Sequence, residues 1–158
     1  MTSKFSDSAH ATHYGHNQTI TCKEKNKTFQ LQTGNVQFKK VKIDGGVEEK
    51  NAQGKRCDFL VLSIKEKKAV EIFIELKGKH ITDGKKQLIA SFEKYATQNG
   101  TTKHYAVLIT SHHAMPRSRV SYKSDIKKLT KIFNTMPLIK AGILRVKYIP
   151  ETQKLQEF

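Results

Sequence analysis

Two apolar runs, "CDFLVLS" at residues 57–63 and "AVEIFIELK" at 69–77, flank the polar stretch "IKEKK" and constrain this chain more than any other feature. Their leucines, valines, isoleucines and phenylalanines are residue types that fill a sheet, and the short polar stretch predicts a hairpin between them. The second run carries charge where a buried strand should not: Glu75 and Lys77 near its end, and Glu71 earlier. Strand side chains alternate faces, so Glu75 and Lys77 point the same way. A lone buried charge is costly, so this pair needs water, partners or a metal. It is either a structural ion pair or a reaction centre.

The rest of the pattern extends the sheet and adds two helices. "TFQLQT" (28–33) and "VQFKKVKID" (36–44) alternate polar and apolar residues, and the apolar phase of the second shifts at Lys39–Lys40, which predicts a bulge. "DGG" (44–46) is a turn and 48–56 a polar connection. Residues 81–100 read as a helix capped by Thr82 or Asp83, with Leu88, Phe92 and Tyr95 on one face and Gly100 closing it. "HYAVLIT" (104–110) is a strand covered on both sides, 111–125 a basic loop, 125–134 a second helix with Ile126, Leu129 and Phe133 inward, and 141–149 a closing strand. A helix between two apolar strands is a crossover, so 69–77 and 104–110 should be parallel neighbours. The expected fold is an α/β sandwich around a mixed central sheet flanked by helices. One domain spans 19–158, after a mobile arm over 1–18 whose His10, His13 and His16 lack folded context.

Charge points to the partner. Lysine and arginine number 29 against 14 acids, a net +15. That excess favours a polyanion through long-range attraction and counterion release, and nucleic acid before a membrane, since no strongly amphipathic basic helix is evident. A lysine-rich solubilising surface is the plain alternative. Cys22 and Cys57 form no CxxC pair and read as reduced thiols of a cytoplasmic protein. The first ten residues lack the apolar core of a signal peptide, and no run is long enough to span a membrane. No P-loop, GxGxxG or Cys/His zinc spacing appears.

The acid-x-lysine triplet is cheap here: it recurs at Glu48–Lys50, Glu66–Lys68, Glu75–Lys77, Asp83–Lys85 and Asp125–Lys127. Only Glu75-Leu76-Lys77 closes an apolar strand. Asp58 opens the partner strand, and hairpin pairing sets it roughly opposite residue 74 or 75, so Asp58 and Glu75 can share one end of the sheet. Two adjacent carboxylates repel unless a proton or a divalent cation lies between them. Mg²⁺ accepts such a pair together with a carbonyl, here that of Leu76, and waters. Lys77 can then orient or deprotonate an attacking water, or stabilise developing phosphorane charge.

"RCDFLVLS…AVEIFIELKGK", with Asp58 and then Glu75-Leu76-Lys77 on successive strands before a helix and a strand, resembles the core motif of the PD-(D/E)XK nuclease superfamily. The resemblance covers about residues 36–110 and implies a restriction-endonuclease-like αβββαβ core, as in Holliday junction resolvases. It implies Asp58 and Glu75 as ligands of Mg²⁺ or Mn²⁺, Lys77 as the lysine of the triad, and Gln87 as the polar residue on the following helix. Cys57 stands where the superfamily name has proline. The usual N-terminal helix with its glutamate is not obvious; Glu24, Glu48 and Glu49 are candidates, and Asp44, at a strand end, ranks first. Lys79, Lys85, Lys86, Arg117, Arg119 and Lys40 are the expected phosphate contacts. The expectation is therefore a metal-dependent endonuclease acting on DNA, with RNA as the alternative substrate, structure-guided or weakly specific, working as a monomer or a homodimer. The alternatives are a non-catalytic nucleic-acid binder on the same fold and an accessory protein docking on an acidic partner.

Overall fold

A computed structural model describes Phe5 and residues 8–76, 80–111 and 119–158. Lys77, Lys79 and Arg117 lie outside the described residues, as do His112, His113 and the side chain of Arg119. The strands are β1 (Ala11–Tyr14), β2 (Thr19–Glu24), β3 (Lys27–Gln32), β4 (Gln37–Lys42), β5 (Phe59–Ile64), β6 (Val70–Glu75), β7 (Lys103–Thr110), β8 (Leu138–Ala141), β9 (Ile143–Ile149) and β10 (Lys154–Glu157). The helices are α1 (Ile81–Tyr95), between β6 and β7, and α2 (Arg119–Phe133), between β7 and β8.

Two sheets form. The larger runs β1-β4-β5-β6-β7-β8, the smaller β10-β9-β3-β2. In the larger, β5 and β6 pair antiparallel as the hairpin predicts, and β6 and β7 pair parallel as the crossover predicts. Each central strand is buried on both faces, and alternation sorts its side chains between two cores. Leu60, Leu62, Phe73, Ala106 and Leu108 pack beneath Leu88 of α1 and Leu129 and Phe133 of α2. Val61, Ile72, Ile74, Val107 and Ile109 pack against Phe29, Leu31, Leu144 and Val146 of the smaller sheet. The order is helices, sheet, sheet.

This corrects the expectation of a central sheet flanked by helices: both described helices cover one face, and the second sheet covers the other. The reason lies in the strands that were expected to join the central sheet. β3 and β9 bury alternate residues and leave the rest half-buried or exposed, and such strands belong to a sheet with one solvated face. No helix precedes β4 among the described residues; strands β1–β3 stand there instead of the leading helix of an αβββαβ core.

Three local expectations also change. Ala11–Tyr14, inside the expected arm, pairs with β4 as the edge of the larger sheet. The phase shift at Lys39–Lys40 is no bulge, because β4 pairs with β5 in unbroken register from Gln37↔Ile64 to Lys42↔Phe59. The strand is apolar in both phases because Phe38 faces the smaller sheet and Val41 faces the helices. The first helix begins after His80 rather than at a Thr82 or Asp83 cap, and α2 starts six residues earlier than the Asp125 expected. Gly84 seats α1, since a Cβ there would stand 2.6 Å from Leu108 Cδ1.

Candidate active-site cleft

The Asp58–Glu75 corner forms at the end of the β5–β6 hairpin. The ladder ends at Phe59↔Ile74, and Asp58 lies in the bend just before β5. The Asp58 N–H donates to the Ile74 carbonyl at 3.0 Å, and its Oδ2 accepts the Leu76 N–H at 2.7 Å. The carboxylate thus closes the ladder where the strand backbone runs out. Glu75 is 1% exposed and Leu76 fully buried. Cys57, also buried, donates its N–H to Ser91 Oγ of α1 at 2.8 Å, which ties the helix to the start of β5. Burial, with Glu75 and Asp58 adding to it, pushes the Cys57 thiol far above its ordinary range.

Two cavities border this corner, one lined by Leu76 and the other by Asp58, while Glu75 lines neither. A cleft of about 580 Å³ is lined by Leu76, by His80, Asp83, Gly84 and Gln87 of the α1 end, by Ser111 after β7, and by Glu24, Lys25, Lys27 and Lys55. A smaller cavity of about 140 Å³ is lined by Asp58, Phe59, Asp44, Gly45, Lys23, Glu24, Lys42 and Lys50. Glu24 lines both. The 2.7 Å bond between Asp58 and the Leu76 N–H joins a wall of one to a wall of the other.

The other sequence candidates scatter. Gln87 lines the cleft. Asp44 lines the smaller cavity but also takes the Arg56 Nε at 2.9 Å. Glu48 is drawn away to α1, accepting the Tyr95 hydroxyl at 2.6 Å. Lys86 is exposed on α1. Lys85 is turned inward, its Nζ 2.6 Å from Asp125 Oδ1 of α2. Lys40 donates to the Thr21 carbonyl at 3.0 Å and lies 5.8 Å from the ring centres of Tyr14 and Phe59, between the two sheets. Glu71 sits at the far end of β6, bonded by the Thr97 N–H and hydroxyl and 3.2 Å from His104 Nε2.

Several residues of the site were not assigned from sequence. Arg56 is buried and, besides Asp44, bonds the carbonyls of Glu49, Lys50, Ala52 and Gly54, which shapes the loop that carries Lys50 and Lys55. Lys25, Lys27 and Lys55 reach the cleft from the β2–β3 turn and from that loop. The turn signal "EKNK" was visible in the sequence, but nothing there placed it over the hairpin of another sheet.

The residues at the corner suit a hard cation. Two carboxylates on adjacent strands and a strand-end carbonyl are oxygen donors, and Mg²⁺ characteristically takes one or two carboxylates and keeps several waters. Among the described residues no three histidine, cysteine, aspartate or glutamate side chains converge. Compared with protein-family models, curated proteins and solved structures, the chain matches none.

Proposed function

We propose that this protein is a metal-dependent nuclease of the PD-(D/E)XK kind, cutting phosphodiester bonds of DNA. The observation that carries the reading is the corner itself: the Asp58 carboxylate accepts the N–H of Leu76, the residue after Glu75, and Leu76 lines a cleft that also holds Lys25, Lys27 and Lys55. The strand–helix–strand order after it, β6-α1-β7 with parallel strands, agrees with the motif's expected setting.

In this reading Asp58, Glu75 and the Leu76 carbonyl would hold Mg²⁺ or Mn²⁺. A bound ion supplies Lewis-acid stabilisation of phosphoryl charge and lowers the pKa of bound water. Lys77, two residues along from Glu75, orients the attacking water. The water oxygen bonds to phosphorus and loses a proton, while the bond to the leaving sugar oxygen breaks and that oxygen is protonated. Gln87, on the first turns of α1, offers its amide to the water or to a phosphate oxygen. The net +15 charge favours the polyanionic substrate.

The test is nicking of supercoiled plasmid with Mg²⁺ or Mn²⁺, beside EDTA, Asp58→Asn and Lys77→Ala. The expected result is conversion to open circle that stops in EDTA and falls at least about 100-fold in each variant. Cleavage that survives EDTA or both substitutions would sink the proposal. Absent cleavage with retained salt-sensitive DNA binding would leave the non-catalytic binder.

A further inference from the structure

We infer that the two cavities form one groove that grips a nucleic-acid strand by its sugar–phosphate backbone on both sides of the Asp58–Leu76 corner, and that the smaller sheet supplies half of the grip. The inference rests on the nucleic-acid reading above and adds the residues that do the holding. They differ from most of those expected from sequence.

The larger cavity carries Lys25, Lys27 and Lys55 beside Glu24 and Asp83, and the smaller carries Lys23, Lys42 and Lys50 beside Glu24, Asp44, which Arg56 pairs, and Asp58, which the Leu76 N–H engages. These come from three places: the β2–β3 hairpin, the end of β4, and the 49–55 loop moulded around Arg56. The two triplets flank the corner that Asp58 and Leu76 share, with Glu24 common to both walls. Phosphates on successive nucleotides repeat along a strand, so cations on both sides of a central point suit a passing backbone. A lone small anion would need only one set.

Size makes the two sides unequal. At about 580 Å³ the larger cavity lies in the range of ordinary ligand sites, roughly 300–1,000 Å³. The smaller, at about 140 Å³, falls below that range, and its three lysines share it with Glu24, Asp44 and Asp58. The larger cavity is also lined by Gln87, Ser111 and His80, residue types that hydrogen-bond sugar and phosphate oxygens. Such a groove holds nucleic acid by its backbone and reads little sequence. Lys85 and Lys40, bound to Asp125 and to Thr21, take no part.

The test measures binding of a fluorescent single-stranded oligonucleotide by anisotropy, in EDTA so that cleavage plays no part. The groove variant is Lys23→Ala, Lys25→Asn, Lys50→Ala and Lys55→Ala combined. Asparagine is chosen because Lys25 has φ +53, a left-handed conformation that asparagine tolerates. The control removes four exposed lysines elsewhere, Lys67, Lys68, Lys128 and Lys154, so net charge changes equally. A second variant, Lys23→Arg with Lys55→Arg, keeps the charge, and thermal melts check that each protein folds. The groove variant should lose at least about tenfold in affinity, and its salt slope should shrink by about 2 to 3, at roughly 0.7 per phosphate contact. The control should lose less than about threefold, and the arginine variant should bind as wild type. Equal losses in groove and control variants would show diffuse charge and overturn the inference. So would displacement of the oligonucleotide by poly-glutamate at matched charge, which would mark an acidic polypeptide as the ligand. Plasmid nicking is scored separately: binding lost in the groove variant without any wild-type cleavage keeps the grip and ends the nuclease reading. Cleavage with an unaffected groove variant does the reverse.

Discussion

Lys85 and Lys86 are neighbours in sequence and opposite in situation. The Lys85 side chain is 13% exposed and faces Asp125, itself 6% exposed, while the Thr82 hydroxyl donates to the other Asp125 oxygen at 2.9 Å. This buried pair joins α1 to α2. Removing one partner of such a pair strands the other charge, so Lys85→Ala should cost about 3 kcal/mol. Lys86 is exposed, and Lys86→Ala should stay within about 0.5 kcal/mol. In thermal melts the first variant should unfold about 10 °C lower than the second, by the usual scaling for a chain of this size. Equal melting temperatures would show that the pair contributes nothing. In the sequence the two lysines look alike, because the carboxylate that separates them lies some forty positions on.

The strand β1 shows the same dependence at the scale of an element. Alone, "ATHY" carries no strand signal, and its neighbours are histidines and small polar residues. It becomes a strand because β4 offers an open edge: Ala11 pairs with Val41 and Tyr14 with Phe38. Tyr14 then packs on the inter-sheet core beside Lys40. Deleting residues 1–15 should therefore cost about 2 kcal/mol of burial and bare the edge of β4. Urea unfolding should show the lower midpoint, and size exclusion a tendency to associate. An unchanged midpoint would mean that the segment behaves as the detached arm its composition suggests.

At the scale of the whole molecule, the closed three-layer packing makes stability depend on alkaline pH. Burial pushes the Cys22 thiol up to about 12, with Asp58 adding to the rise against a nearby Lys40. Burial pushes Tyr148 up to about 12 as well, and it raises Cys57 and Tyr95 further. In the unfolded chain thiols lose their protons near pH 9 and phenols near 10. Above those values the unfolded state binds fewer protons than the folded one, so each group lowers stability as pH rises, by at most about 1.4 kcal/mol per pH unit. Burial lowers Lys39 instead, and near pH 10 that one group acts in the opposite sense. The net expectation is a melting temperature that falls steadily from pH 9 to 11, with the early part of the slope flattened in a Cys22→Ala, Cys57→Ala double variant. A flat or rising curve would contradict it.

The sequence by itself determined the β5–β6 hairpin, the β6-α1-β7 crossover and the meeting of Asp58 with the end of β6. All three follow from local period and short connections, which neighbouring residues carry within themselves. Only the tertiary structure decided that β3 pairs with β9 in a second sheet, that Ala11–Tyr14 becomes an edge, and that Lys85 turns inward while Lys25 and Lys55 reach the cleft. Those outcomes depend on contacts between segments tens of residues apart. A lysine's role is set there by which carboxylate, carbonyl or cavity the fold brings within reach of its long side chain.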